Sequence, residues 1–210
     1  MFFYPKGDDM FKNKYTINHR AAEEEHDHEP ERGSVEHSSN NLYFYSPVLS
    51  NSVIKLNKGI SSLSNNLVEI ATNLDVPVPP IKLHINSGGG SLFDGLAAVD
   101  TIRKSKAPIH TIIEGGAASA ATLMSVVGAK RYIHKHSFML IHQLSGGMWG
   151  KFAEMQDEIQ NSQLLMETIQ NIYLKHTKMS KKTLKDLLKR DIWLDAKTCK
   201  EYGLVDEVIE

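Results

Sequence analysis

The sequence predicts an α/β fold in which the strands of a parallel sheet alternate with helices. Short apolar runs rich in β-branched residues alternate with longer segments whose apolar residues recur every three or four positions. Gly-rich turns join the two kinds of segment. Hydrophobic residues make up 41% of the chain and charged residues 23%, as in globular proteins. This alternation is typical of parallel sheets with right-handed crossovers.

Length and composition limit the classes of protein to which the chain can belong. Its 210 residues are enough for one domain with a sizeable core, with or without an arm. The 24 basic and 25 acidic residues give a net charge of −1, which argues against a nucleic-acid partner, since such domains are usually basic. The single cysteine, Cys199, excludes an intramolecular disulfide and fits a reducing, cytoplasmic compartment. No run of 18 apolar residues occurs, so we expect no membrane span and no membrane partner.

Residues 1–41 are predicted to form a flexible acidic arm. Within it, residues 19–40 contain one large aliphatic side chain, Val35, among many charged ones. Such a stretch buries too little apolar surface to offset the entropy that it would lose on ordering. His26 and His28 lie among carboxylates and could hold a metal loosely, but a solvated acidic tail is the simpler interpretation, and we assign no metal site.

The folded domain is predicted over residues 42–210, where five short apolar runs have the character of strands. The first, Leu42–Tyr45, is rich in aromatic residues and is ended by Ser46 and Pro47. The next two run into Gly-rich loops, as strands before a crossover do. The predicted strands are 42–45, 81–85, 109–113, 131–133 and 138–141.

Helices are predicted where apolar residues recur at helical spacing. The third of them is small and apolar throughout, which indicates a buried helix. The predicted helices are 50–74, 92–104, 118–127, 151–176 and about 180–189. The helix at 151–176 is too polar on its outer side to be wholly buried, so it is a candidate for an arm that packs on a partner.

Ser119 lies in the segment Gly115–Ala121, at a predicted strand-to-helix turn. Its small neighbours would let a substrate backbone approach closely, and a helix N-terminus favours a developing negative charge. This is the arrangement of a nucleophile elbow, although the Gly-x-Ser-x-Gly pattern is absent. A serine that caps the helix is the alternative interpretation.

Three other features are ambiguous when each is taken alone. Gly88–Gly90 follows a strand but lacks the ending of a P-loop, so it is either a plain turn or a loop whose N–H groups suit an oxyanion hole. His142 ends an apolar strand, where a core histidine is the commoner interpretation. Asp191 is one of many acidic residues and carries no signal alone.

Taken together and in order, these segments resemble the proteolytic subunit of Clp protease, ClpP. The resemblance covers about residues 42–210 and rests on five linked motifs, which are far more specific together than singly. The motifs are Ile85-Asn86-Ser87-Gly88-Gly89-Gly90, Gly115-Gly116-Ala117-Ala118-Ser119, Met139-Leu140-Ile141-His142-Gln143, Arg190-Asp191-Ile192-Trp193-Leu194 and Glu201-Tyr202-Gly203-Leu204-Val205-Asp206. The resemblance implies a ClpP/crotonase-like spiral of βαβ units with a protruding strand-helix handle.

The resemblance also implies a serine endopeptidase with the catalytic residues Ser119, His142 and Asp191. A serine hydroxyl is a weak nucleophile at neutral pH and needs an adjacent base, here His142, whose imidazole Asp191 would orient. The backbone N–H groups of Gly90 and Ala120 match the family's oxyanion donors. No cofactor and no metal are expected.

Assembly is a further implication of the resemblance. A strand at 146–150 and the helix at 151–176 match the family's handle, through which two seven-membered rings form a tetradecamer around a chamber. Arg190 matches the residue that senses ring–ring contact, so the isolated subunit would be inactive. Substrates would be peptides or unfolded proteins in the cytoplasm.

Some positions depart from the family pattern. The aromatic positions of the cleft that receives the Clp ATPase carry Lys82, His84 and Lys104, so pairing with a standard ATPase is in doubt. Lys189 stands where an acidic residue often precedes the sensor arginine. The alternatives are a Clp-like viral capsid-maturation protease and a catalytically weak subunit of a mixed Clp ring. Ser–Lys peptidases share the fold, but here His142 and Asp191 both fall in family motifs. Acyl-CoA hydratases share it too, but would not need this triad.

Overall fold

The computed structural model describes residues 34–147 and 149–210, in which strands and helices alternate as predicted. The strands are β1 (Ser34–Ser38), β2 (Asn41–Tyr45), β3 (Ile81–Ser87), β4 (Ile109–Ala118), β5 (Lys130–His134), β6 (Phe138–Leu140), β7 (Leu194–Asp195) and β8 (Glu207–Ile209). The helices are α1 (Ser50–Leu74), α2 (Leu92–Lys104), α3 (Ala120–Val126), α4 (Phe152–His176), α5 (Lys181–Leu188) and α6 (Ala196–Glu201). The α/β fold class is therefore confirmed.

One sheet runs in the order β1-β2-β3-β4-β5-β8, and its inner pairs are parallel. The long strand β4 pairs with two different neighbours along its length. Its first half, His110–Ile113, pairs with β5, whereas its last three residues, Gly116–Ala118, pair with β6. The last residues of β4, which Ser119 follows, therefore lie between β3 and β6.

The core forms between this sheet and the helices that pack on it. Strand β3 alternates buried and more exposed residues, as a strand with one face on the core does. Helix α1 turns buried residues inward at helical spacing, among them Val53, Leu56 and Ile60. Because β3 and β4 are fixed by this core, the loops at their carboxyl ends have a rigid base.

Strand β1 lies where the sequence predicted a flexible arm. It forms an antiparallel hairpin with β2, in which Val35 pairs with Phe44, and Asn40 Nδ2 donates to Pro80 O at 2.8 Å. The backbone hydrogen bonds of β1 to β2 stabilise this edge strand although it has only one large apolar side chain. Composition does not reveal such backbone pairing. The ordered fold thus begins before residue 42, and residues 1–33 of the predicted arm, with His26 and His28, lie outside the described residues.

Helix α4 is buried only towards its C-terminal end. Ile169 and Tyr173 are core residues, whereas Phe152 at its start is 74% exposed. This agrees with the predicted handle helix. The predicted handle strand at 146–150 differs: the described residues of this segment form no strand, and three of its five positions are glycine, which weakens a strand. Among the described helices, none is long and apolar enough to cross a membrane.

Candidate active site

Ser119 occupies the single residue between β4 and α3, in a backbone conformation unusual for a residue with a side chain. Its φ is +54° and its ψ −127°, a strained combination that persists only where the surroundings impose it. The N–H of Ser119 donates to Leu140 O at 2.9 Å, and its carbonyl accepts from Thr122 N at 2.9 Å. Its hydroxyl forms no capping hydrogen bond. The interpretation of Ser119 as a capping serine is therefore not supported, and its hydroxyl is left for other chemistry.

The Gly-rich loop after β3 lies directly against this turn. Gly89 has φ +89°, and a Cβ there would come within 2.7 Å of Ser119 Cβ and 2.6 Å of Ala118 O. Gly90 has φ +151°, and a Cβ there would meet Val48 O at 2.3 Å. Only glycine permits such close approach with these backbone angles. The sequence motif therefore has a structural cause, since the loop must touch the Ser119 turn.

Backbone hydrogen bonds hold the Gly-rich loop in place. Val48 N donates to Gly89 O at 2.9 Å, and Ser91 N donates to Val48 O at 2.8 Å. Within the described residues, these turns leave the N–H groups of Gly90 and Ala120 without an acceptor. Both residues line one cavity of about 220 Å³ together with Ser119 and His142. The cavity thus combines a hydroxyl, an imidazole and two free donors.

His142 and Asp191 are brought together by a strand pair that the sequence analysis did not find. Strand β6 pairs antiparallel with β7, with Met139 opposite Leu194. Each step forward along one strand is a step back along the other, so this register places His142 opposite Asp191. Their Nδ1 and Oδ1 atoms are 3.7 Å apart. That distance is an ion-pair contact and is too long for a hydrogen bond.

The three candidate residues therefore lie near one another but do not form a hydrogen-bonded set. Asp191 is 52% exposed and His142 is 23% exposed. Among the described residues, neither His142 nor Asp191 hydrogen-bonds the Ser119 hydroxyl. Arg190, the predicted sensor, is exposed and has no ion-pair partner in the described part of the chain. Within the described residues, the Ser119 hydroxyl has no capping hydrogen bond, the His142–Asp191 contact is longer than a hydrogen bond, and the Arg190 side chain has no ion-pair partner.

A polar cluster occupies the positions predicted for the ATPase cleft. Nδ1 of His84 lies 2.7 Å from Glu114 Oε1, and its Nε2 lies 3.1 Å from Asn41 Oδ1. His134 Nε2 lies 3.5 Å from the same Glu114 oxygen. Burial, with the charges of Lys82 and His134, lowers the pKa of His84. Lys82 and Lys104 are exposed. The paired polar groups of this cluster are His84, Glu114 and His134, of which the sequence analysis identified only His84.

Two further residues at the site were not singled out from the sequence. Thr122 lies in the first turn of α3, and Tyr173 reaches the cavity from α4. A threonine in a helix whose other residues are mostly apolar was the available signal for Thr122. Tyr173 is one of the residues that recur at helical spacing on the apolar face of α4, so the sequence pattern indicates a core residue and gives no sign of a role for its hydroxyl.

Comparison with a solved structure defines the class of fold. The chain is similar to a point mutant of ClpP1 from Listeria monocytogenes, with a TM-score of 0.71 and 24% identity. The match covers 82% of this chain and 92% of that one. The ClpP-like fold is confirmed.

The family follows from the sequence itself. A family model described as Clp protease matches residues 36–210, and the chain belongs to that family. The match begins within β1, in agreement with the hairpin that extends the fold before residue 42. The resemblance to ClpP is thereby confirmed, and the family implies a peptidase.

Proposed function

We propose that this chain is a serine endopeptidase with Ser119 as the nucleophile, His142 as the general base and Asp191 as the residue that orients the histidine. The observation that carries the proposal is the strained, uncapped Ser119 in one cavity with His142 and the N–H groups of Gly90 and Ala120. Strain of this kind clusters at functional sites. A capping or core serine would not need it.

The proposed reaction begins with attack of Ser119 Oγ on the carbonyl carbon of the peptide bond. Nδ1 of His142 faces Asp191, so Nε2 is the nitrogen left to take the serine proton. The negative charge on the former carbonyl oxygen would be met by the N–H groups of Gly90 and Ala120. His142 then gives its proton to the leaving amine, and water releases the acyl group from Ser119 by the reverse sequence.

Assembly is part of the proposal because the triad is open in a single chain. The contact of 3.7 Å between His142 and Asp191 must shorten for a hydrogen bond to form. The exposed first half of α4 and the unpaired Arg190 supply a surface for other copies. Rings of seven subunits, paired through α4 and residues 146–150, would enclose the sites and admit peptides or unfolded polypeptides. The free, buried Cys199 suits a reducing cytoplasm.

Pairing with a standard Clp ATPase is proposed to be weak. The positions that match the family's aromatic cleft carry Lys82, His84 and Lys104, and the structure adds Glu114 and its hydrogen bonds to this surface. An apolar loop tip that docked there would desolvate charged groups without replacing their partners. A more polar docking loop, or peptide hydrolysis without an ATPase, fits this surface better.

Labelling with a fluorophosphonate tests the proposal. The assembled wild-type protein should be modified at Ser119 and should hydrolyse a fluorogenic peptide. Ser119→Ala should keep the solution mass of the assembly and lose at least about a thousandfold in kcat/KM. Rings that form without labelling would favour the catalytically weak assembly subunit. Hydrolysis that survives in Ser119→Ala would exclude Ser119 as the nucleophile.

A further inference from the structure

The Ser119 turn is connected to α4 by a pair of buried hydroxyl groups. The hydroxyl of Tyr173 lies 2.6 Å from Thr122 Oγ1. Thr122 is fully buried and Tyr173 is almost so. Thr122 Oγ1 in turn lies 2.6 Å from the carbonyl oxygen of Ser119. The three groups form one continuous chain from the helix to the turn.

The direction of this chain follows from counting protons. Thr122 has one hydroxyl proton, and a carbonyl can only accept, so Thr122 donates to Ser119 O. Tyr173 must then donate to Thr122 Oγ1. Burial raises the pKa of Tyr173, so its phenol keeps this proton throughout the neutral range. The hydrogen bonds therefore point from α4 towards the turn.

The chain ends on the peptide group that supplies one of the two oxyanion donors. The carbonyl of Ser119 accepts from both the N–H and the hydroxyl of Thr122. The peptide bond is planar and trans, so the N–H of Ala120 points away from that carbonyl. Fixing the carbonyl oxygen therefore also fixes the direction of the Ala120 N–H.

We propose that Thr122 and Tyr173 are positioning residues that hold the Ala120 N–H in the direction needed to bind the oxyanion. The inference rests on the proposed function, because it gives that N–H its role. It adds a residue of α4 to the machinery of the site. The first half of the same helix is the exposed surface proposed for assembly. The direction of the Ala120 N–H therefore depends on the position of α4 relative to α3.

Four variants and a matched control test the proposal in the assembled enzyme. Thr122→Val removes the hydroxyl but keeps the shape and the N–H of residue 122, and Tyr173→Phe removes only the phenol oxygen. Thr122→Val/Tyr173→Phe removes both. The control, Thr111→Val, deletes another buried threonine hydroxyl, which donates to Ser125 O at 2.8 Å near the other end of α3.

We expect Thr122→Val to lower kcat about tenfold and to leave KM within about twofold, because the donor acts on the transition state. A peptide aldehyde, whose hemiacetal oxygen would occupy the oxyanion site, should bind more weakly in the same proportion. Because Tyr173 acts through Thr122, the double variant should match Thr122→Val in kcat. Thr122→Ser keeps the hydroxyl and should restore kcat, and Thr111→Val should leave kcat unchanged.

Several results would overturn the inference. They are an unchanged kcat in assembled Thr122→Val, an equal loss in Thr111→Val, and independent, multiplicative losses in the double variant. If Thr122→Val fails to assemble, Tyr173→Phe and Thr122→Ser decide, with reduced kcat expected for the first only. Failure of the proposed function is distinct, since the wild-type assembly would then not be labelled at Ser119, and the positioning role would fall with it.

Discussion

The two halves of the candidate site differ in how firmly the structure holds their residues. The nucleophile half, which comprises Ser119, Gly89, Gly90 and Ala120, has a strained turn fixed by hydrogen bonds and by contacts that only glycine allows. The acid–base half, which comprises His142 and Asp191, is partly exposed and joined by a contact of 3.7 Å. A single chain thus completes the first half on its own and leaves the second half open. The proposed assembly would therefore act on the second half.

The largest expected effect comes from breaking the nucleophile half. Gly89→Ala would place a Cβ within 2.7 Å of Ser119 Cβ at a φ of +89°, so either the loop or the turn must move. Displacement of about 1 Å costs on the order of a hundredfold in rate, and the strained backbone lowers the free energy of unfolding by roughly 1–3 kcal/mol.

The neighbouring glycine provides the control for that change. A Cβ at Gly88 meets nothing within 4 Å, so Gly88→Ala should keep nearly wild-type hydrolysis and stability. Both variants are compared by kcat/KM and by urea unfolding. Equal behaviour of the two would mean that the loop does not press on the Ser119 turn, and the contrast between the halves would lose its basis.

A smaller loss is expected from the other half, through assembly. Phe152 at the start of α4 is 74% exposed and does not line the cavity that contains Ser119 and His142. Phe152→Glu would put a charge where another copy is proposed to pack, at a cost of several kcal/mol if the contact is desolvated. We expect smaller assemblies in solution and roughly tenfold less hydrolysis.

Leu74→Glu is the matched control, since Leu74 is 65% exposed at the end of α1. It should alter neither the solution mass nor the rate. If Phe152→Glu keeps the full assembly and activity, α4 does not complete the acid–base half, and its apolar start needs another explanation.

The residue pattern marks the nucleophile half more clearly than the acid–base half, and the reason is physical. Close backbone contact requires glycine and small residues, which leave a visible mark at Gly88–Gly90 and around Ser119. The pairing of His142 with Asp191 depends on β7, a strand of two residues that is too short for any periodicity. Strand β1 was not predicted because its stability comes from backbone pairing with β2. The role of the Tyr173 hydroxyl was not predicted because a buried tyrosine occupies the same positions in a helical pattern as a buried apolar residue. Composition and spacing do not predict which distant segments pair, or which polar atoms of an otherwise apolar helix face form hydrogen bonds.

The smallest expected effect concerns pH and acts through the strand that leads into the Gly-rich loop. His84 lies on β3, where burial and the charges of Lys82 and His134 lower its pKa from the ordinary 6.5. Below pH 6.5 the unfolded chain therefore binds more protons at this residue than the folded chain does. Its contribution to stability is accordingly full above pH 6.5 and is lost as the pH falls through the lowered pKa.

Urea unfolding at about pH 7.5 and about pH 5.5, on either side of the ordinary histidine pKa, measures this loss in the wild type. His84→Gln keeps a hydrogen-bonding side chain beside Glu114 but cannot titrate, so its free energy of unfolding should fall less between the two pH values. Lys82→Met removes one of the two charges and should reduce the loss in part. The same pH dependence in all three proteins would show that the cluster around Glu114 accommodates a charged His84 without cost, and that the nucleophile half is no more sensitive to acid than the rest of the fold.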